Sequence, residues 1–370
     1  MTLHSSLIRP EIEGLPTYNA GLAAARFQAT YGVPLRAKLD SNENPLGPSP
    51  AAIAAALAAA QGLGRYPDAS GTALRTALAD RLGASPDRII LGNGSEDLIG
   101  VIYRTVLRPG DHVVTLCPSF GLHEFAAQAC GAGVTKVPFP ADWRFPVAGL
   151  LAALEKGARV LIFSSPSNPA GPAITAADFA RLIAGTPPDT LIVFDEAYVE
   201  YLDPEARFDA LAMLESSGHA WISLRTFSKA YGLAGARVGY GIAHDAGLVA
   251  AMAKARNPFA VNAVAEAAAL AALGDDGHLA RGLALARSER RRVSAVLAAL
   301  GVACAPSQTN FLFFDCGDTA TGTAEMLRQH GILVKAWMEP PFGTHARVTM
   351  GTAEENDLFL GALRQIRESR

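Results

Sequence analysis

The chain has 370 residues, with 35 Gly and 23 Pro, which suits an ordinary globular protein and excludes collagen-like and low-complexity classes. Half of the residues are apolar and 18% are charged, enough apolar material for a large core and too little charge for a disordered chain. The net charge is -3, and basic residues concentrate only in the short run Arg290-Arg291-Arg292, so neither nucleic acid nor a membrane surface is expected as a partner.

In chain order, residues 1–45 read as an arm punctuated by Pro and Gly, ending in Asn42-Glu43-Asn44-Pro45-Leu46-Gly47-Pro48. Its first ten residues hold no apolar core of signal-peptide length, and no window reaches the ~18 apolar residues of a membrane span, so a cytoplasmic protein is expected. Ala/Leu-rich runs predict helices over 51–60 and 72–82, separated by the loop Arg65-Tyr66-Pro67-Asp68. Helices then alternate with short apolar runs bounded by turn residues, the pattern of crossover units around a mostly parallel sheet. Seven strands are expected, over 88–91, 112–117, 134–138, 159–163, 190–194, 220–224 and 237–242. A Gly-rich loop without a helix joins the last two, which leaves one of them open to running antiparallel.

From about 257 to 300 the pattern is helical, with Ala and Leu on one face and Arg287, Glu289, Arg290 and Arg291 available to the other. Strands over 310–314, 332–335 and 347–350 and a closing helix over 355–369 follow. The expected organisation is an arm (1–45), a large domain (46–260), and an interdomain helix with a smaller C-terminal α/β domain (261–370).

Four cysteines, Cys117, Cys130, Cys304 and Cys316, form no C-x-x-C pair and read as reduced core residues; no metal site is expected. Only six of the 32 basic residues are lysines, at 38, 136, 156, 229, 254 and 335, so each lysine deserves inspection. Gly92-Asn93-Gly94 has Asp97 where a dinucleotide fingerprint wants its third glycine, and no Gly-Lys pair exists for a P-loop.

Four polar groups stand at expected strand ends, where open α/β sheets bind ligands. Gly92-Asn93-Gly94-Ser95-Glu96-Asp97 enters the apolar helix 98–107, which fits either a plain capped helix or a phosphate cradle of free backbone N–H groups. Asp195 closes an apolar strand, where a buried acid needs a cation, a protonated ring nitrogen or a structural ion pair. Lys229, in Thr226-Phe227-Ser228-Lys229-Ala230-Tyr231-Gly232, is either a solvated loop lysine or an amine placed for Schiff-base chemistry, with Arg237 eight residues on as an anion ligand. Asn168, in Ser167-Asn168-Pro169, is explained by turn chemistry or by an amide aimed into the same rim. Together the four form a phosphate cradle, an acid, a lysine and an amide at successive strand ends.

These motifs, with Asn42-Glu43-Asn44-Pro45, Tyr66-Pro67-Asp68, Asp195-Glu196-Ala197-Tyr198, Asn257-Pro258-Phe259 and Arg347-Val348-Thr349, resemble the fold-type I pyridoxal-phosphate aminotransferases, and among them the histidinol-phosphate aminotransferases, over nearly the whole chain. The resemblance implies a large α/β domain with a mostly parallel seven-stranded sheet and a smaller C-terminal α/β domain. It also implies that Lys229 forms the Schiff base with pyridoxal 5'-phosphate, Asp195 pairs with the ring nitrogen, Tyr198 and Asn168 bond the phenolic oxygen, and Phe120 stacks on the ring. The phosphate would lie on the backbone of Gly94, Ser95 and Glu96, with Ser228, Arg237 and a second subunit's Tyr66. Tyr18, Asn44, Lys335 and Arg347 would contact substrate, in a homodimer with shared active sites.

The implied partners are small: an amino donor, histidinol phosphate, and a 2-oxo acid acceptor, 2-oxoglutarate. Phe120 stands where the family often has Tyr, Ala170 where it has Thr, and Lys335 where it often presents Arg to the substrate phosphate. A lysine binds phosphate as a point charge without the guanidinium fork. An aromatic aminotransferase, a threonine-phosphate decarboxylase-like lyase, and a non-catalytic regulator that binds the cofactor are the alternatives to the implied activity.

Overall fold

Residues 7–17 and 22–369 are described by the computed structural model. The first strand, β1 (Ala37–Lys38), ends the arm, and the chain then enters the helix Pro50–Ala60. That helix starts where Ser49 accepts a hydrogen bond from the Ala52 amide and Pro50 takes the first turn, so local chemistry sets its boundary.

The large sheet follows as β2 (Ile89–Gly92), β3 (His112–Cys117), β4 (Gly133–Pro138), β5 (Val160–Ser164), β6 (Leu191–Asp195), β7 (Trp221–Thr226) and β8 (Gly239–Ala243). Its spatial order is β2-β8-β7-β6-β5-β3-β4. The α/β class with a mostly parallel seven-stranded sheet is therefore as expected, with each strand within a residue or two of its expected position. β8 is the antiparallel member, paired against both β2 and β7, because the loop from β7 contains only the three-residue 3-10 turn Ala234–Ala236 and no α-helix to carry the chain back across the sheet.

Adjacent residues of each strand point to opposite faces. Leu161, Phe163, Ile192 and Phe194 pack on one side with helices Val147–Leu154 and Ala176–Gly185. Val160, Ile162 and Val193 pack on the other with helices Ser95–Val106 and Ala246–Ala255. Helices on both faces are what the unbroken apolar runs require. The chain leaves β3 outward to β4 and returns on the other side as β5, so the carboxyl ends of β3 and β5 flank a topological switch point, where such sheets hold ligands.

The helical stretch after the large sheet resolves into Ala263–Leu273 and Asp276–Ala299, interrupted at Gly274, with Asn262 and Asp275 capping the two starts. Next come β9 (Phe311–Asp315), β10 (Ile332–Leu333), β11 (Lys335–Ala336), β12 (His345–Thr349) and the closing helix Ala353–Glu368. The closing helix begins two residues earlier than expected because Thr352 and Glu355 form a reciprocal capping box.

The single strand expected over 332–335 is two short ones with different partners. β10 pairs in parallel with β1, whereas β11 joins the antiparallel set β11-β12-β9. Through the β1–β10 pairing, Ala37 and Leu39 enter the C-terminal core with Leu312, Val348 and Phe359, so the segment after residue 36 spans from that core to the rim of the large sheet. Among the described residues, no helix is long and apolar enough to cross a membrane.

Candidate active site

A cavity of about 830 Å³ opens at the carboxyl ends of the large sheet, closed on its other side by β11, β12 and residues 38–43. Ser95, Glu96, Phe120, Asn168, Asp195 and Tyr198 line it, as do Ser228, Lys229, Arg237, Lys335 and Arg347. The groups from Ser95 to Arg237 thus meet because five strands of one sheet end on one rim, and β11 and β12 bring Lys335 and Arg347 to it from the other side.

The helix Ser95–Val106 carries no side-chain cap at its N-terminus, so its first backbone N–H groups are left to a ligand. Gly94 precedes it at φ +80°, and a Cβ there would fall 2.5 Å from Arg237 Nη2. Only glycine lets the guanidinium lie against this turn. Arg237 itself adopts φ +59°, a strained conformation for a residue other than glycine, and is held by four contacts, one of them to the Ala234 carbonyl at 3.1 Å. It donates to Ser228 Oγ at 3.2 Å and to Glu96 Oε1 at 2.7 Å, and reaches the Asn93 carbonyl at 3.4 Å. A guanidinium, a hydroxyl and a helix N-terminus in one corner make an anion cup.

Asp195 is 5% exposed at the end of β6. Its Oδ1 accepts from the Ala197 amide at 3.0 Å, and its Oδ2 lies 3.2 Å from His123 Nε2. His123 is fully buried and its other nitrogen meets Ser119 Oγ at 3.0 Å, so the carboxylate is braced from behind while Asp195 lines the cavity. A buried carboxylate so placed favours a cation or a protonated ring nitrogen.

Lys229 is half-buried in the cavity wall, its Nζ donating to the Ser41 carbonyl at 3.1 Å and lying 6.0 Å from the centre of the Tyr198 ring. Burial, and then the Arg347 charge, push its amine down to about 8. Tyr198 accepts a 2.8 Å hydrogen bond from Asn42 Nδ2. Arg347 donates to Asn168 Oδ1 at 2.6 Å and to the Asp40 carbonyl at 2.7 Å, with its guanidinium over the Phe311 ring. Lys335 is the direct cross-strand partner of Arg347, and burial followed by the Arg347 charge lowers its amine to about 8.

Not every candidate lies in the cavity. Asn44 does not line it: its Nδ2 donates to the Ala230 carbonyl beside Lys229 and its Oδ1 accepts from the Leu46 amide, so the side chain ties the Lys229 loop to the turn after Asn44. Its neighbours Asn42 and Glu43 line the cavity instead. Tyr66 is 82% exposed and stacked on Phe259 at 4.6 Å, outside the cavity. Tyr18 lies outside the described residues.

The structure adds groups that the sequence did not single out: His123 behind Asp195, Asn42 on Tyr198, and two charge clusters at the cavity wall. One joins Lys136 to Glu124 at 2.9 Å and Glu339 at 3.0 Å. The other joins Lys38 to Glu43 at 2.8 Å and Asp40 at 3.2 Å, and the two carboxylates outweigh burial to raise the Lys38 amine. The scarcity of lysine was a usable signal, since Lys38, Lys136, Lys229 and Lys335 all line the cavity. His123, one histidine in an apolar helix, carried none.

The sequence matches the family of class I and II aminotransferases over residues 37–363. It is 45% identical to histidinol-phosphate aminotransferase 1 of Mesorhizobium japonicum, over 99% of this chain and 100% of that one. It is 46% identical to histidinol-phosphate aminotransferase 3 of Rhizobium meliloti, over 99% of each. The crystal structure of histidinol-phosphate aminotransferase from Sinorhizobium meliloti, in complex with pyridoxal-5'-phosphate, superposes with a TM-score of 0.90 at 32% identity, covering 98% of both chains.

Proposed function

Because this chain belongs to the class I and II aminotransferases, we propose that it moves the amino group of histidinol phosphate to 2-oxoglutarate, with pyridoxal 5'-phosphate as cofactor, in histidine biosynthesis. The observation that carries the donor is identity of 45–46% with two histidinol-phosphate aminotransferases over their whole length.

The residues fit the cofactor. The uncapped helix start, with Ser228 and Arg237, suits its phosphate; the buried Asp195 suits its ring nitrogen; and the half-buried amine of Lys229 suits its aldehyde carbon. When bound, such a cofactor supplies an electron-withdrawing ring that stabilises negative charge at the donor's α-carbon. Asp195 keeps that ring nitrogen protonated, and His123 orients the carboxylate. Tyr198 and Asn168 would hydrogen-bond the phenolic oxygen, and Phe120 would stack on the ring.

With the donor bound, Lys229 Nζ would take the α-proton from the donor and deliver it to the cofactor's carbon, and an amine lowered to about 8 suits both halves of that transfer near neutral pH. Arg347 holds the acceptor's carboxylate or the donor's equivalent anion, and Lys335 the donor phosphate.

Tyr66 completes the phosphate site of a second copy of this chain in a cytoplasmic homodimer. Its exposure, alongside exposed Ile53, Leu57, Leu63 and Leu270, supports that reading. The arm, large domain and small domain at 1–45, 46–260 and 261–370 are part of it.

The test is a half-reaction: holoenzyme without acceptor, with cofactor absorbance followed as histidinol phosphate or phenylalanine is added. Conversion at far lower histidinol phosphate concentration is the expected result. Preference for phenylalanine would reassign the enzyme to aromatic amino acids.

A further inference from the structure

Residues 38–43 form a strap between β1 and the catalytic loop. Its backbone already serves the site: the Asp40 carbonyl accepts from Arg347 and the Ser41 carbonyl from Lys229. Asn42, at φ +55°, turns the strap so that its side chain reaches both Tyr198 and Thr349. Lys38 stands at the head of the strap. It pairs in β1 with Leu333, two residues before Lys335, and Lys335 in turn faces Arg347 across β11 and β12. Lys38, Lys335 and Arg347 all line the one cavity.

An ammonium has three N–H donors. Those of Lys38 meet Ser41 Oγ at 3.0 Å, Glu43 Oε2 at 2.8 Å and Asp40 Oδ1 at 3.2 Å. The two carboxylates differ in kind. The Asp40 side chain is 4% exposed and cannot shed its cation cheaply, whereas that of Glu43 is 46% exposed and water can take the place of its partner.

We propose, resting on the reading of this chain as acting on a phosphorylated amino donor, that Lys38 is a second phosphate ligand of the cavity, exchanging Glu43 for a phosphomonoester oxygen when the donor binds. A phosphomonoester carries close to two negative charges and three acceptor oxygens near neutral pH, so beside Lys335 and Arg347 it still offers an oxygen to a third cation lining the cavity. Lys38 on β1 and Lys335 on β11, which both line the cavity, together offer the two directed donors that a single guanidinium fork would give. The Glu43 pairing keeps Lys38 extended and satisfied until the dianion arrives. A purely structural ion pair would instead serve every donor alike.

The experiment titrates holoenzyme variants with histidinol phosphate and with histidinol, reading cofactor absorbance, and measures inorganic phosphate binding to the same holoenzymes by calorimetry. Lys38→Met is expected to raise the half-saturating concentration of histidinol phosphate about tenfold and to weaken phosphate binding, while leaving histidinol unchanged. Lys38→Arg should keep the preference for the phosphorylated donor. Glu43→Gln, which removes the competitor, should tighten histidinol phosphate and phosphate, and it keeps the test decisive if Lys38→Met folds poorly.

Equal weakening of both donors by Lys38→Met, no effect on either, or no tightening by Glu43→Gln overturns the assignment while leaving the functional reading intact. A wild-type enzyme that does not prefer the phosphorylated donor overturns the functional reading, and this assignment with it.

Discussion

Lys229 donates a hydrogen bond to the carbonyl oxygen of Ser41, 188 residues earlier in the chain. The contact joins the loop after β7 to the strap that β1 and β10 anchor in the C-terminal core, so the reactive amine is positioned by both parts of the molecule at once. Replacing Lys229 with Ala is expected to abolish turnover and covalent retention of the cofactor while the fold persists. Borohydride treatment followed by mass spectrometry checks this, and a variant that retains covalent cofactor would remove Lys229 from its role.

The pH behaviour of Lys229 follows from its lowered amine. Burial and the Arg347 charge bring it to about 8 from an ordinary 10.5, so between those values the unfolded chain binds more protons than the folded one. The amine's contribution to stability therefore rises with pH across that window. In the apoprotein, capture of the cofactor requires the neutral amine, so its rate should climb through pH 8 and level above it. Arg347→Met removes a repelling charge and should move the midpoint upward, which stopped-flow reconstitution over pH 6.5–10 would measure.

Asp195 and His123 should separate by degree. Asp195→Asn retains some cofactor and loses most of the rate, on the order of 10³-fold for an electrostatic group at the reacting centre. His123→Phe keeps the carboxylate and loses only its brace, so a fall of about tenfold in kcat is expected, with a shifted pH dependence of cofactor absorbance. An unchanged rate in Asp195→Asn would take it out of the mechanism.

Lys335 titrates within the working range. Its amine, brought to about 8 by burial and then by Arg347, against the opposing pull of Asp40, loses its charge as pH rises. The KM for histidinol phosphate should accordingly increase above pH 8. Lys335→Arg, charged throughout, should flatten that rise, and steady-state kinetics from pH 7 to 9.5 would show it.

Tyr66 offers a test of the shared site. Mixing inactive Tyr66→Ala and Lys229→Ala subunits should restore about a quarter of wild-type activity, because half of the dimers then hold one intact site built from two chains. No recovery after subunit exchange, or an active monomer in sedimentation, would place Tyr66 elsewhere.

The sequence by itself determined the seven strands of the large sheet, since strands covered on both faces must be apolar throughout and end at turn residues. It also determined the polar groups at their carboxyl ends, from Ser95 to Lys229, because a chain that winds through a parallel sheet brings successive strand ends to one rim. Even the direction of β8 was open to reading from its helix-free connection. Other features depended on contacts between distant segments, which no local pattern encodes. The split of 332–335 into two strands is decided by the partners β1 and β12, and the bracing of Asp195 by a histidine 72 positions away. The removal of Asn44 from the cavity is decided by the Ala230 carbonyl, which must be satisfied once it is buried. Lys38 was visible as a rare lysine, but only the pairing of β1 with β10 sets it beside Lys335 and Arg347, where three strands turn scattered cations into one anion site.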